Sequence, residues 1–477
     1  MNAAAAPDPA ASAEFLHGRL VLVVIGIGTL LSAMAGSAVS LALPSIGHEL
    51  QISLDRSSWV MQGFLLVVTS LLLIAGRLGD LLGHRRLYLA GFTLFGLAAL
   101  TCGLATSFGM LVAGRALQGV GGAMVMASSP ALLTTSFPPQ QRGKALGILA
   151  TATYIGLTIG PPLSGLLVST VGWRWVFFIN LPVAVVILAL GLRYLPGRTT
   201  RPAFELDLPG TVTLLFGLPL LLLTLSEGRA WGWSSFPTLG SAGAALVLLA
   251  SFIVIERRHR TPVLDLKLFR SVSFSGAAAS AMANYVALFV PIILLPFYLT
   301  EALGLDARHA GMLLSVQALV MALVASPAGS LSDRIGTRPL ATAGLLLEAG
   351  GLLGMLSLDA TSPVALVAVW QVVMGLGTGI FISPNSSALM GSAPRQQQGV
   401  AGGVLAVARN FGMALGVATA TTLFHVAGGE TGRTWGEAEL RGFHTALVAA
   451  AIVAAAGAVV AFAGHKSRPH EGTRSPR

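Results

Sequence analysis

The chain has 477 residues, of which 54% are hydrophobic and 10% charged, with a mean hydropathy of +0.78 and a net charge of +10. That balance excludes a soluble globular protein and leaves no space for a separate soluble domain. The single cysteine, Cys102, excludes an internal disulfide and a cysteine metal cluster, and no HExxH or GxxxxGK[ST] run suggests a metal, hydrolysis or nucleotide use, so no cofactor is expected.

In chain order, residues 1–19 lack the early positive cluster and small-residue cleavage site of a secretory signal and are expected to form a disordered cytoplasmic tail. Beyond them, apolar stretches of about 20 residues, the length a helix needs to cross a bilayer, recur between short charged segments. Spans are predicted at 20–46, 58–77, 88–107, 110–133, 145–169 and 175–195, a first six-helix bundle over 20–195. Two more follow at 208–226 and 237–256, within an insertion over 196–256, and then a cytoplasmic linker over 257–272. A second bundle over 273–463 holds spans at 273–300, 310–331, 340–358, 363–390, 401–425 and 442–463, and residues 464–477 form a basic cytoplasmic tail. Fourteen helices put both termini on one side. If that side is the cytoplasm, 21 of the 29 Lys and Arg lie inside, 6 in outer loops and 2 in spans, whereas the acidic residues divide evenly. This is the positive-inside asymmetry, so the positive charge reports topology in a cell membrane and not nucleic-acid binding.

The two bundles repeat one another. Gly76, Leu78, Asp80 and Gly83 in GRLGDLLG recur as Gly329, Leu331, Asp333 and Gly336 in GSLSDRIG, all displaced by 253 residues. Leu43-Pro44 matches Leu295-Pro296, Gly119 and Gly121 match Gly375 and Gly377, and Gly156 and Gly160 match Gly412 and Gly416, with displacements of 252 to 256. Six-span units repeated in the same orientation imply bundles related by an axis along the membrane normal, with a substrate site between them at mid-membrane and access alternating as they rock.

Local chemistry singles out a few residues. Gly76 and Gly83 allow a tight cytoplasmic turn around Asp80, Arg85 and Arg86; each arginine alone also reads as a topological anchor. Arg115 lies inside the fourth span, where a cation is costly and usually faces the protein interior, with Gln118 on the same helical face. It reads as a functional residue or as an arginine bonded to backbone carbonyls for packing. Gly156 and Gly160 in GLTIGPPLSG admit a neighbouring helix, and Pro161 removes a backbone donor and tends to kink its helix. Glu348 is the one acidic residue inside a predicted span and a candidate proton carrier; a neutral packed carboxyl and one snorkelling to water are the alternatives.

Taken with RALQGVGGA at 115–123, WRWVFFINLP at 173–182, LDLPG at 206–210, PVLDLKLFR at 262–270 and ARNFGMALG at 408–416, these motifs resemble the fourteen-helix drug:proton antiporter family of the major facilitator superfamily, a multidrug efflux family, along the whole chain. The resemblance implies an all-α major facilitator fold of two six-helix bundles plus two inserted helices. It implies that Gly76, Asp80, Gly83, Arg85 and Arg86 form a cytoplasmic gating loop, that Arg115 takes part in proton coupling, and that Gly156, Gly160, Pro161 and Gly165 mark an exporter. Its cavity-lining helices carry Gln62, Gln118, Tyr154, Asn284, Tyr285, Gln317 and Asn385 here, each of which also reads as interhelical glue. The first span departs from the family: MAGSAVSLALP has Ala35 at the usual acidic position and Ser40 at the usual asparagine, which counts against cationic substrates. The expected partners are a small-molecule substrate, protons and the lipid bilayer, and the chain is expected to be a monomer. The expected function is export of a drug, antibiotic or hydrophobic metabolite against protons; a proton-linked uptake carrier and a non-transporting sensor are the alternatives. A membrane-embedded enzyme is not expected, because no paired carboxylates or metal-ligand cluster occupy the spans.

Overall fold

The computed structural model describes residues 9–137, 139–197, 208–232, 234–259, 264, 266–394, 398–429 and 435–464, almost wholly helical and with no strand among them. The first half comprises α1 (Pro9–Leu50), α2 (Leu54–Leu82), α3 (His84–Gly103), α4 (Phe108–Ser136), α5 (Pro139–Thr170), α6 (Trp175–Phe178) and α7 (Asn180–Tyr194). Next come α8 (Leu208–Trp231) and α9 (Phe236–Arg258). The second half comprises α10 (Val272–Phe297), α11 (Ala307–Ile335), α12 (Thr337–Gly354), α13 (Val364–Ser392), α14 (Gln398–Val426) and α15 (Glu437–Gly464). Because α6 and α7 together make the sixth span, Trp175–Tyr194, each later helix is numbered one above its span. Twelve stretches of the described residues are long and apolar enough to cross a membrane, and two shorter ones, Ile155–Thr170 in α5 and Pro209–Leu225 in α8, complete the fourteen.

Helix ends differ from expectation where local propensity extends them. Helix α1 starts at Pro9, inside the stretch expected as a disordered tail, because the alanine-rich run before the first span favours helix. Helix α5 starts at Pro139, since a proline is tolerated in a first turn, and it continues through Pro161 and Pro162 as one helix. The tail at 464–477 lies, beyond Gly464, outside the described residues.

Small side chains face protein and large ones face outward, the distribution a bilayer favours. In α15, Ala446, Ala450, Ala454, Gly457 and Ala461 are buried while Ile452, Val459 and Phe462 are exposed. Apolar surface of this extent would be costly in water and costs nothing against lipid.

The repeat is repeated in the packing. Helix α1 lies along α5 as α10 lies along α14; α3 packs on α4 as α12 on α13; α2 packs on α4 as α11 on α13; and α3 packs on α7 as α12 on α15. Close approaches correspond atom for atom. A side chain at Gly121 would come within 2.6 Å of Gly91 O, and one at Gly377 within 2.8 Å of Gly344 O. One at Gly119 would meet Phe64 O, and one at Gly375 would meet Gln317 O, at 2.8 and 2.6 Å.

Two seams join the halves, α5 on α11 and α2 on α14, and the repeat exchanges them. Helices α8 and α9 pack on each other, and α8 covers the α2–α14 seam, where Leu214, Leu218 and Phe252 meet Leu73 and Phe411. The two ends of the bundle differ. At the end carrying the α1–α2 turn (the Gln51 end), one hydrophobic core runs through both halves, including Leu41, Ile46 and Val60 with Ile293, Leu294, Leu313 and Phe443. At the end carrying the α2–α3 turn (the Gly83 end), each half has its own core, built on Ile25, Tyr88 and Phe92 in one and on Phe274, Leu389 and Val404 in the other.

Candidate functional site

The repeated loop motif makes the same turn twice. Gly83 and Gly336 each end one helix and begin the next at φ of 94° and 89°, a left-handed conformation costly for any residue with a Cβ. Their amides donate to Gly79 O and Ser332 O, both at 2.9 Å. Asp80 Oδ1 lies 3.1 Å from His84 Nε2, one turn along, and Arg85 Nη2 donates to Leu192 O at 2.5 Å, tying the turn to the end of α7. Arg86 is exposed, and Gly76 has open space around its Cα. All the contacts described for this loop lie within the first half.

Arg115 is fully buried in α4. Its Nε donates to Val60 O at 2.7 Å, its Nη1 to Gln118 Oε1 at 2.5 Å, and its guanidinium stacks 4.5 Å from the centre of the Phe64 ring. It therefore holds α2 against α4 through a neutral acceptor, a carbonyl and a π face. Gln118 is its partner, and Gln118 Nε2 has no bond among the described residues.

Glu348 is likewise fully buried, in α12, with Gly377 of α13 packed so closely that a side chain there would lie 2.5 Å from Glu348 N. Its Oε2 accepts from Asn284 Nδ2 of α10 at 2.6 Å, and Thr378 of α13 borders the carboxyl. Among the described residues Glu348 Oε1, Asn284 Oδ1 and Thr378 Oγ1 have no hydrogen-bond partner. A carboxyl in this setting can carry a proton on Oε1 and offer it to a neighbouring oxygen. By the displacement of 253 residues, Phe95 occupies the matching place in α3, so only the second half has this polar cluster.

Helix α5 uses its motif on two partners. A side chain at Gly156 would strike Leu30 O of α1, and one at Gly160 would strike Ser37 Oγ, also of α1. One turn on, Pro161 O sits 2.5 Å from where a side chain on Gly311 of α11 would be, and Gly165 is pressed against Ala307 of the same helix. The motif thus seats α5 in its own half and against the other half at once.

Other expected cavity residues divide. Asn385 bonds Ser280 and Ala277 O across α10 and α13, at 2.9 and 3.0 Å, and is interhelical glue. Gln62 bonds Ser58 at 3.0 Å within its own helix. Gln317 is buried with Nε2 unbonded among the described residues, and Tyr285 lies beside the Arg409 guanidinium. Tyr154 lies on α5, and its side chain is outside the described residues. Sequence reasoning did not select Gln371, the counterpart of Arg115 at 256 residues, or Arg409; the repeat displacement and the basic residue in ARNFGMALG were the signals available.

The family model described as Major Facilitator Superfamily matches the chain twice in tandem, over residues 25–283 and 277–477. Among curated relatives, the riboflavin transporter RibZ of Clostridioides difficile (strain 630) is 33% identical over 410 residues, 85% of this chain and 88% of that protein. The tetracenomycin C resistance and export protein of Streptomyces glaucescens is 32% identical over 467 residues, 97% and 87% of the two. The multidrug resistance protein Stp of Mycobacterium tuberculosis (strain CDC 1551 / Oshkosh) is 33% identical over 400 residues, 84% and 74%.

Proposed function

Because the chain belongs to the major facilitator superfamily and is a multi-pass membrane transporter, not an enzyme, we propose that it exports a small molecule in exchange for protons by alternating access. The observation that carries this reading is the difference between the ends: the halves share one core at the Gln51 end and have separate cores at the Gly83 end. Two seams exchanged by the repeat are what rocking of one half on the other requires. With both termini cytoplasmic, as the Lys and Arg distribution favours, the Gln51 end faces outward and this conformation opens to the cytoplasm. A single chain contains both halves, so the transporter works as a monomer.

Export is supported by the resistance and export relatives and by the α5 motif seated across the α5–α11 seam. Glu348 is the proposed proton carrier. Arg115, bonded to Val60 O and Gln118, is the proposed positioning residue that keeps α2 and α4 together while the proton moves. In the loop at 76–86, the Gly83 turn, Asp80 and Arg85 are proposed to brace the first half so that it moves as one body.

Proteoliposomes holding the full chain test the proposal by proton release from an acid-loaded lumen on addition of cationic, neutral or anionic compounds. One compound class should release protons, and Glu348→Gln should abolish that release while leaving the protein monodisperse. Proton uptake in place of release would favour proton-linked import, a reading that Ala35 in α1 already keeps in view. Absence of proton movement with every class would contradict coupled transport.

A further inference from the structure

We propose that the substrate site between the halves recognises an anionic group through Arg409, with Tyr285 beside it, so that the transported compounds are acids. The inference rests on the transport reading and concerns what that site takes. Helix α14 meets α10 through Gly412 and Gly416, the α2 side through Gly403, and the inserted α8 through Phe411. At 100° per residue, Arg409 falls in the sector between α10 and α2 and away from α8, the sector that faces the interior. The repeat gives the same answer: at a displacement of 256 its counterpart is Thr153, on the side of α5 opposite the exposed stripe Ile148, Ile155 and Ile159.

Arg409 is half-buried, and its Nε is buried without a hydrogen-bond partner among the described residues. Its neighbour is the Tyr285 hydroxyl. No ion pair between Arg409 and a carboxylate occurs among the described residues, and Glu348 is bonded to Asn284. The other arginine deep within the spans, Arg115, is satisfied by Val60 O, Gln118 and Phe64. Arg409 is therefore the intramembrane cation with donors to spare, and an unpaired guanidinium at that depth is costly unless something anionic completes it. A guanidinium offers a carboxylate or phenolate two parallel donors, and Tyr285 supplies a hydroxyl beside them. Ala35, in the position where the family usually has an acid, leaves the facing part of α1 without a charge that would attract a cation or repel an anion.

The test uses the purified full chain in detergent and three fluorescent probes: fluorescein, an anion at neutral pH, Nile red, which is neutral, and ethidium, a cation. Fluorescence anisotropy should show fluorescein binding, weakened about tenfold or more by Arg409→Gln, less by Arg409→Lys, and only modestly by Tyr285→Phe. Thermal unfolding of each variant checks that it folds; should Arg409→Gln fail to fold, Arg409→Lys and Tyr285→Phe carry the comparison. Preference for ethidium, fluorescein binding unchanged by Arg409→Gln, or binding of none of the three would overturn the proposal. The same preparation in proteoliposomes separates this from the transport reading. Fluorescein bound but not transported would leave the anion site standing and sink transport, whereas ethidium transported without fluorescein would do the reverse.

Discussion

Arg115 and Glu348 show how a buried charge is kept in a membrane protein by specific neighbours. Replacing Gln118 with leucine leaves the Arg115 Nη1 donor without its acceptor. Loss of such a bond leaves an unsatisfied buried group and costs about 1–3 kcal/mol, so Gln118→Leu is expected to lower the thermal midpoint in detergent by several degrees. The buried amide of Asn385 does comparable work in the second half, where it ties α10 to α13 through two bonds. In the turn between α12 and α13, Asp359 accepts from Thr361 N and Oγ1 at 2.8 Å and from Ser362 Oγ at 3.0 Å, and these bonds hold its carboxyl below the usual carboxylate range. A carboxyl whose folded value is depressed contributes stability above its unfolded value, and that contribution is lost as pH falls through the folded value. The unfolding midpoint of the wild type should therefore fall more steeply than that of Asp359→Asn below about pH 4. Glu348 was visible in the sequence as the one acid in a span. Its partner Asn284 was visible only as a polar residue, because the bond joins helices 64 residues apart.

At the scale of elements, glycines set how closely helices approach, and their positions separate stability from conformation. A methyl group at Gly121 would lie 2.6 Å from Gly91 O and 2.8 Å from Phe95 N, both backbone atoms that cannot step aside. Gly121→Ala should cost about 1–3 kcal/mol, the usual range for overpacking, read as a lower unfolding midpoint. Gly377→Ala should do the same in the second half and in addition displace Glu348, so that it also impairs proton release. Gly311→Ala acts elsewhere: it sits in the α5–α11 seam against Pro161 O, 2.5 Å away, with Leu41 at 2.9 Å. It should leave each half intact and favour opening of the Gln51 end. Labelling of His48→Cys in a Cys102→Ala background should then speed up; unchanged labelling would mean that the seam is not a closure. Helix number and the internal repeat were legible because apolar length and glycine spacing are local properties of the chain. The break that splits the sixth span into α6 and α7 at Ile179, the uninterrupted course of α5 through Pro161, and the seat of α8 on the α2–α14 seam depend on packing.

On the scale of the whole molecule, both halves pack their helices in the same pairs, yet they are chemically unequal. The first half holds a saturated arginine, the second a protonatable carboxyl and an arginine with free donors. The inserted pair covers one of the two seams, so rocking must keep α8 against α2 and α14 while the α5–α11 seam opens against lipid. The most direct measurement is a pair of distances by double electron–electron resonance in a Cys102→Ala background. One pair of spin labels, at Gln51→Cys and Arg308→Cys, spans the halves at the Gln51 end, and another, at Leu82→Cys and Ile335→Cys, spans them at the Gly83 end, where both native side chains are exposed. Between acidic and alkaline buffer the account predicts that one distance lengthens as the other shortens, and that Glu348→Gln removes the response. Distances that stay fixed, or that change in the same sense, would contradict alternating access coupled to protons.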